Sequence, residues 1–331
     1  MYILVTGGAG YIGSHTVRAL QQQDFKVIVL DNLIYGHQDI VEKNLKVPFI
    51  FGNIGNKELI KKILSGNHPK TNGKKISAII HFAAYAYVGE SVKNPLKYYV
   101  NNVKETISFF EEIIKETRER KLSDDSERIP IVFSSSCATY GIPEELPIIE
   151  SMKQNPINPY GKTKLMIEEI LKDFYLSYDL PSIIFRYFNA AGADPKGDLG
   201  ENHIPETHLI PLAFDAATKK SKNFKIFGND YPTFDGTCIR DFIHVVDLAN
   251  AHVKGLKRLL ENGGHDSFNL GTGKGLSVKQ VLKSIENITG LEIEIETHPR
   301  RLGDPPILIA SPLKARNQLG WIPKFSAIDI I

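Results

Sequence analysis

A glycine-rich segment between an apolar run and an amphipathic stretch constrains the fold of this chain most strongly. Residues 6–13 read TGGAGYIG and contain the spacing G-x-G-x-x-G at Gly8, Gly10 and Gly13, with a wider spacing that begins at Gly7. Glycines at these positions allow a tight strand-to-helix turn, and the unpaired N–H groups of the following helix can bind a phosphate. The segment predicts a strand–turn–helix unit that binds a pyrophosphate. The alternative is a tight turn without a ligand.

The rest of the first 190 residues repeats the same alternation. Short β-branched runs at 2–6, 26–30, 48–51, 77–82, 130–134 and 181–186 are separated by longer amphipathic stretches. Parallel strands need crossover connections that are usually helical. We therefore predict an α/β fold with a Rossmann-type doubly wound parallel sheet in residues 1–189.

The pattern changes after Asn189, where segments become shorter and richer in Pro, Gly and His. We predict that residues 190–331 form a smaller C-terminal α/β domain that binds the substrate and partly returns to the first domain, with irregular loops through residue 235 that cover the ligand. Two hydrophilic stretches, 65–75 and 115–128, are predicted to be solvated surface. Residues 325–331 resemble the start of a further helix, so a tail is expected to follow.

Charge and composition narrow the possible partners. The chain has 40 Lys+Arg against 38 Asp+Glu, a net charge of +2, and no long basic block that could neutralise many phosphates of a nucleic acid. It has neither a secretory leader nor a run of eighteen apolar residues, so we expect a cytoplasmic protein that does not enter a membrane. The two cysteines and ten histidines lack disulfide or metal-binding spacing, and no metal site is predicted.

An acidic residue ends the second apolar run. Asp31 can accept hydrogen bonds from the hydroxyls of an adenine ribose and would repel a 2'-phosphate. Asn32 and Leu33 follow, so no arginine reverses that preference. The segment therefore predicts NAD rather than NADP as the dinucleotide.

A tyrosine and a lysine begin a second recognisable unit. Tyr160 and Lys164 lie four residues apart in a predicted helix over 160–178, which places them on one helix face. A phenol acts as a base only if its pKa falls, and a fall from about 10 to about 7 requires roughly 4 kcal/mol, which a nearby ammonium and a nicotinamide ring could supply. The strand at 130–134 leads into Ser134, Ser135 and Ser136, where a hydroxyl can bind a reacting oxygen. Helix capping is the alternative role for these serines.

Together, several motifs resemble the UDP-galactose 4-epimerase family of the extended short-chain dehydrogenases/reductases. They are TGGAGYIGSHT (6–16), HFAAYAYVGESV (81–92), SSSCATYG (134–141), NPYGKTK (158–164), RYFNAAG (186–192) and IFGNDYPTFDGTCIRDFIHVVDLA (226–249). The resemblance implies reversible 4-epimerisation of a UDP-hexose through a 4-keto sugar, with tightly bound NAD and a homodimeric assembly.

The resemblance also implies roles for individual residues. Tyr160 would be the base, Lys164 would tune it while binding the nicotinamide ribose, and Ser136 would assist at the sugar hydroxyl. The cofactor-binding residues would be Gly7, Gly10, Tyr11, Ile12, Gly13, Asp31, Asn32, Asn53, Ile54, Phe82, Ala83, Ala84, Asn101, Ser134, Tyr160, Lys164 and Tyr187. The substrate-binding residues would be Ser136, Tyr160, Asn189, His208, Leu209, Phe227, Arg240, Arg301 and Asp304. Arginine forks suit pyrophosphate oxygens.

Some positions depart from the family pattern. Asn53 stands where many relatives have Asp, and His208 stands where some have Asn. Leu308 falls where a residue lines the sugar pocket, and its intermediate size predicts that UDP-glucose and UDP-galactose are better substrates than UDP-N-acetylglucosamine. Core packing is the alternative role for Leu308.

The same fold also supports other functions. A nucleotide-sugar 4,6-dehydratase needs a Thr-Asp-Glu run where this chain has Ser136-Cys137-Ala138. A 4-epimerase acting on UDP-N-acetylglucosamine, UDP-glucuronate or a UDP-pentose is less firmly excluded. An NAD-sensing regulatory module is the non-enzymatic alternative, but it would not be expected to retain Tyr160, Lys164 and Ser136 together.

Overall fold

A seven-stranded parallel sheet forms the centre of the molecule. The computed structural model describes residues 1–123, 128–221, 223–301 and 304–325. In spatial order the sheet consists of β3 (Phe49–Phe51), β2 (Lys26–Asp31), β1 (Tyr2–Thr6), β4 (Ala78–His81), β5 (Ile131–Ser136), β6 (Ser182–Tyr187) and β10 (His265–Leu270). Every strand predicted in the first 190 residues is present, and its ends agree within two residues. The doubly wound parallel sheet is therefore confirmed.

Helices cover both faces of this sheet. They are α1 (Tyr11–Gln21), α2 (Lys57–Leu64), α3 (Val88–Lys93), α4 (Pro95–Tyr98), α5 (Thr106–Leu122), α6 (Pro159–Tyr178), α7 (Leu209–Ala217), α8 (Val245–Asn262), α9 (Val278–Thr289) and α10 (Leu313–Leu319). Side chains alternate along β1, so Ile3 and Val5 pack beneath α1 and α8 whereas Leu4 packs beneath α2, α5 and α6. Among the residues that the structure describes, every helix is too short or too polar to cross a membrane.

The residues after 188 contribute to two parts of the fold. Smaller sheets contain β7 (Asn189–Ala191), β8 (Phe224–Phe227), β9 (Ile239–His244), β11 (Gly275–Ser277), β12 (Ile295–His298) and β13 (Ile307–Leu308). A separate apolar cluster lies between α7, α9 and these strands. In contrast, β10 pairs with β6, and α8 packs against α1. The division at residue 189 stays a prediction.

Local sequence explains why α6 begins where it does. The side chain of Asn158 accepts a hydrogen bond of 2.8 Å from the backbone N–H of Gly161, and Pro159 occupies the first turn. Asp179, with φ of 56°, ends the helix in the left-handed region. The helix predicted over 160–178 is thus present, and its cap places Tyr160 in the first turn.

One surface prediction was wrong. Arg120 lies in the stretch 115–128 that we expected to be solvated, but it is only 1% exposed. Its guanidinium donates to the backbone carbonyls of Ile76 and Leu64 and to the Glu116 carboxylate, each at 2.9 Å. Burial of this charge is tolerated because each of the three guanidinium nitrogens donates to an acceptor. Most of the helix predicted from residue 325 lies outside the described residues.

Candidate active site

A single cavity of about 460 Å³ receives most of the predicted functional side chains. It lies beyond the carboxyl ends of β1, β4 and β5, where ligands bind in open α/β sheets. The predicted residues that line it are Gly7, Gly10, Tyr11, Ile12, Gly13, Asp31, Asn32, Asn53, Ile54, Phe82, Ala83, Ala84, Asn101, Ser136, Tyr160, Tyr187, Asn189, His208, Leu209, Arg240, Asp304 and Leu308. Ser134, Lys164, Phe227 and Arg301 do not line it directly.

The glycine-rich turn is shaped for close approach. A Cβ atom on Gly13 would lie 2.2 Å from the carbonyl oxygen of Gly7, and one on Gly7, whose φ is +72°, would lie 2.7 Å from the backbone nitrogen of Ala83. At the start of α1, Gly10 provides no side-chain cap, and no acidic residue lies in the first turn. The N–H groups of this turn therefore remain available to an anion, which fits the pyrophosphate of a dinucleotide.

Asp31 occupies the end of β2 at the edge of the same cavity. Its carboxylate accepts hydrogen bonds from the backbone N–H groups of Ala9, at 3.1 Å, and Leu33, at 2.9 Å. These bonds orient a side chain that is 8% exposed. Next along the chain, the side-chain amide of Asn32 donates a 3.4 Å hydrogen bond to Oδ1 of Asn53. The arrangement fits the ribose role predicted for Asp31, since each carboxylate oxygen can accept a second hydrogen bond.

The first turn of α6 meets the end of β5 at the inner wall of the cavity. Ser136 and Tyr160 both line the cavity there. The Ser136 hydroxyl also accepts a 3.1 Å bond from the N–H of Ala138, so it both caps a short turn and faces the cavity. Ser134 donates to the Tyr187 hydroxyl at 3.0 Å. Ser135 is turned away and donates to Glu168.

Lys164 lies between the end of β5 and the ring of Tyr160. Its ammonium donates a 2.7 Å hydrogen bond to the carbonyl of Ser134 and lies 5.9 Å from the centroid of the Tyr160 ring. Burial lowers the pKa of Lys164 to about 7, and burial raises the pKa of Tyr160 well above its usual value. The protein groups alone therefore do not produce the lowered tyrosine pKa that we predicted, and a cationic group must add to them.

A buried polar network supports this wall from behind. The Glu168 carboxylate accepts hydrogen bonds from Arg186, at 2.7 and 2.9 Å, and from Gln154, at 2.9 Å. Arg186 also donates to the hydroxyl of Tyr140 at 2.9 Å. Because Ser135 joins the same carboxylate, the network connects α6 to the end of β5.

The predicted substrate residues fall into two groups. Arg240 and Asp304 line the cavity and form an ion pair of 2.5 Å. Arg301 instead lies 4.0 Å over the ring of Phe227, outside the cavity wall. Leu308 pairs with Arg240 across β13 and β9, lines the cavity and is 8% exposed. Leu308 therefore lies at the cavity wall and is also packed, and its predicted role at the sugar stays a prediction.

Several wall residues were missed by sequence reasoning. The rings of Tyr35, Tyr85 and Tyr87 line the cavity, as do Glu201 and His203. The aromatic repeat YAY at 85–87 was a usable signal, because it follows a predicted strand end.

Burial acts to lower the pKa of His208, but hydrogen bonds with Glu201 and Glu206 raise that pKa to about 9.

Comparison with known proteins shows the family of the chain. Residues 3–271 match the NAD dependent epimerase/dehydratase family, and the chain belongs to that family. A UDP-glucose 4-epimerase of Halalkalibacterium halodurans is 47% identical over 329 residues, which cover 99% of this chain and 92% of that protein.

Solved structures give the same result. The UDP-glucose 4-epimerase from Brucella ovis in complex with NAD superposes with a TM-score of 0.90 at 46% identity, covering 100% of this chain and 95% of that one. The enzyme from Bifidobacterium longum in complex with NAD+ and UDP has a TM-score of 0.87 at 35% identity, with the same coverage. The recognised family and NAD as its cofactor are thereby confirmed.

Proposed function

We propose that this protein is an NAD-dependent 4-epimerase that interconverts UDP-galactose and UDP-glucose. The observation that carries the proposal is that Ser136 and Tyr160 line the same cavity as the glycine-rich turn. The likeness to UDP-glucose 4-epimerases over 99% of the chain supports the same substrate pair.

When bound, NAD would supply a reversible acceptor for the hydride that leaves C4 of the sugar. Tyr160 removes the proton from the 4-hydroxyl and later returns it, while Ser136 binds the same oxygen and orients it. Lys164 donates a hydrogen bond to the Ser134 carbonyl and so joins α6 to β5. This bond helps to fix the hydroxyl of Ser136 relative to that of Tyr160. The positive charge of the bound nicotinamide ring would favour the tyrosinate, which the protein groups alone do not.

The diphosphate of the substrate is assigned to the part of the cavity that Arg240 and Asp304 line. Arg240 is suited to the diphosphate because its guanidinium fork can bind two oxygens at once. In the structure this fork pairs with Asp304, so the diphosphate would compete with the carboxylate for it. Concentrating charge at the diphosphate leaves the hexose loosely held, so that either face of a 4-keto sugar can be presented for reduction.

The dehydratase alternative is not favoured. Elimination of water needs an additional acid and base near the reacting carbons. The turn after β5 offers Cys137, Ala138 and Thr139 instead of carboxylates. Burial raises the pKa of the Cys137 thiol to about 12, which makes it a poor substitute.

Two measurements test the proposal. Purified protein should release NAD and not NADP on denaturation, as identified by mass, and it should convert UDP-galactose to UDP-glucose in a coupled assay. Protein that carries no nicotinamide dinucleotide, or that forms a UDP-linked 4-keto-6-deoxy sugar by loss of water instead of an epimer, would contradict it.

We also propose that the chain is a cytoplasmic homodimer. Free cysteines agree with a reducing compartment.

Exposed apolar side chains lie along α3 to α6, namely Val92 (61%), Leu96 (72%), Val100 (38%), Ile107 (39%) and Met166 (43%). A second copy covering this face would bury such a patch, and stable interfaces bury about 800 Å² per partner. Light scattering should give a dimer that Leu96→Glu disrupts and Ile288→Glu, on α9, does not. A monomeric wild type would contradict it.

A further inference from the structure

Four potential metal ligands meet in the segment that leads into α7. They are Glu201, His203, Glu206 and His208, and one ligand atom from each lies within 4.8 Å of all the others. Their spacing, E-x-H-x-x-E-x-H, is not that of a standard zinc motif such as H-E-x-x-H, so the sequence predicted no metal. The grouping is visible only once the segment is folded.

The distances between these atoms bracket those expected around a tetrahedral ion. Nδ1 of His203 lies 3.1 Å from Oε1 of Glu201 and 3.9 Å from Oε2 of Glu206, and Nδ1 of His208 lies 3.5 Å from Oε1 of Glu206. Nδ1 of His208 is closer to Glu201, at 2.5 Å. Ligands about 2.1 Å from a tetrahedral Zn²⁺ are about 3.4 Å apart. Small side-chain adjustments would therefore bring all four atoms onto one ion.

Burial and charge also point to a cation. The side chains of Glu201 and Glu206 are only 9% and 14% exposed. Within the described part of the chain, their ion pairs are with His203 and His208 and with no lysine or arginine. Two shielded carboxylates beside two imidazoles form a set that a divalent ion would neutralise.

Part of the set is already oriented by other contacts. Oε1 of Glu206 accepts hydrogen bonds from the backbone N–H groups of Thr207, at 2.7 Å, and His208, at 2.8 Å. The ring of His203 packs edge-on against those of Tyr11, at 6.4 Å between centroids, and Tyr87, at 6.0 Å. Such supporting contacts are typical of built metal sites, because they hold the ligands in place before the ion arrives.

We propose that Glu201, His203, Glu206 and His208 bind one divalent transition-metal ion, with Zn²⁺ as the best match. Two imidazole nitrogens and two carboxylate oxygens suit zinc better than Mg²⁺ or Ca²⁺, which prefer six or more oxygen ligands. The ion would fasten the segment before α7 across Tyr11 and Tyr87 at the cavity edge. This role is structural and does not depend on which sugar the enzyme uses.

Direct metal binding tests the proposal on the full-length protein with its own cofactor. Chelator-treated protein is titrated with Zn²⁺ by calorimetry, and its metal content is measured after gel filtration. The variants are Glu206→Gln, whose amide oxygen can still accept the backbone N–H groups, and His203→Gln. The control is His68→Gln, which removes a half-buried histidine between α2 and β4. Co²⁺ added to the wild type reports the geometry by its visible absorption, independently of any variant.

We expect one Zn²⁺ per chain in the wild type and in His68→Gln, with a tetrahedral Co²⁺ spectrum. Loss of a direct ligand should weaken binding by more than the roughly 10- to 100-fold typical of supporting residues. Equal zinc uptake by all variants, no uptake by the wild type, or a six-coordinate Co²⁺ spectrum would each overturn the proposal. In that case hydrogen bonds between protonated imidazoles and the carboxylates alone would hold the segment.

Discussion

The ammonium of Lys164 donates a 2.7 Å hydrogen bond to the backbone carbonyl of Ser134, which joins α6 to the C-terminal half of β5. This bond places a cation under Tyr160 and fixes the strand end that leads to Ser136. Lys164 is only 4% exposed, and burial lowers its pKa to about 7, so its charge changes close to neutral pH.

The first prediction concerns that lysine. Lys164→Met should lower kcat by about 10²- to 10⁴-fold, the usual effect of losing a group that assists proton transfer. The pH profile of the remaining activity should shift to higher pH, because a lost cation no longer favours the tyrosinate. Steady-state kinetics from pH 6 to pH 10 measures both effects. The exposed neighbour Lys162, changed to Met, should leave kcat unaltered, and an unshifted profile in Lys164→Met would argue against this role.

Leu308 governs the second prediction, which concerns the width of the sugar pocket. The side chain lines the cavity and also packs with Tyr140, Ile148 and Phe188. Leu308→Tyr should selectively reduce kcat/KM for UDP-N-acetylglucosamine, because added bulk leaves less room for a 2-acetamido group. Kinetics with both sugar pairs compares the wild type and the variant. Equal losses on the two pairs, or no change on either, would show that Leu308 does not form the gate.

The buried Glu168–Arg186 pair leads to the third prediction. Breaking one side of a buried ion pair costs about 3–5 kcal/mol, so Glu168→Gln should lower the free energy of unfolding by that order, measured with urea. The exposed Lys57–Glu111 pair is the matched control, and Glu111→Gln should have no measurable effect. Similar stability losses in the two variants would mean that burial does not set the strength of these pairs.

A buried histidine underlies the fourth prediction. His252 lies between the rings of Phe82 and Phe185, and burial lowers its pKa to about 4. The unfolded chain binds the proton below about pH 6.5 and the folded chain does not, so stability falls as pH drops from about 6.5 to 4, by roughly 3 kcal/mol in total. His252→Leu should flatten this part of the Tm-versus-pH curve while leaving Tm at pH 8 little changed. A curve as steep as that of the wild type would assign the acid sensitivity to other groups.

Features that depend on short-range spacing were predictable from the sequence. The glycine-rich turn and the start of α6 follow from residues within a few positions of each other, and the likeness to the UDP-galactose 4-epimerase family added the position of Ser136. Contacts between distant segments were not predictable. Arg120 looked like a surface charge because its acceptors, the carbonyls of Leu64 and Ile76, lie 56 and 44 residues away. The cluster at 201–208 lies within eight residues, but the backbone there is irregular, so the spacing did not predict that the four side chains would converge.

The most direct test of the central claim is the turnover of Tyr160→Phe with UDP-galactose, measured beside its affinity for UDP. The lost hydroxyl acts in proton transfer and contributes little to ground-state binding, so kcat should fall by about 10²- to 10⁴-fold while the Kd for UDP stays close to that of the wild type. Tyr175→Phe, on the same helix and outside the cavity wall, controls for the removal of a hydroxyl from α6. A Tyr160→Phe variant that keeps more than about a tenth of the wild-type turnover would contradict the account and place the base elsewhere.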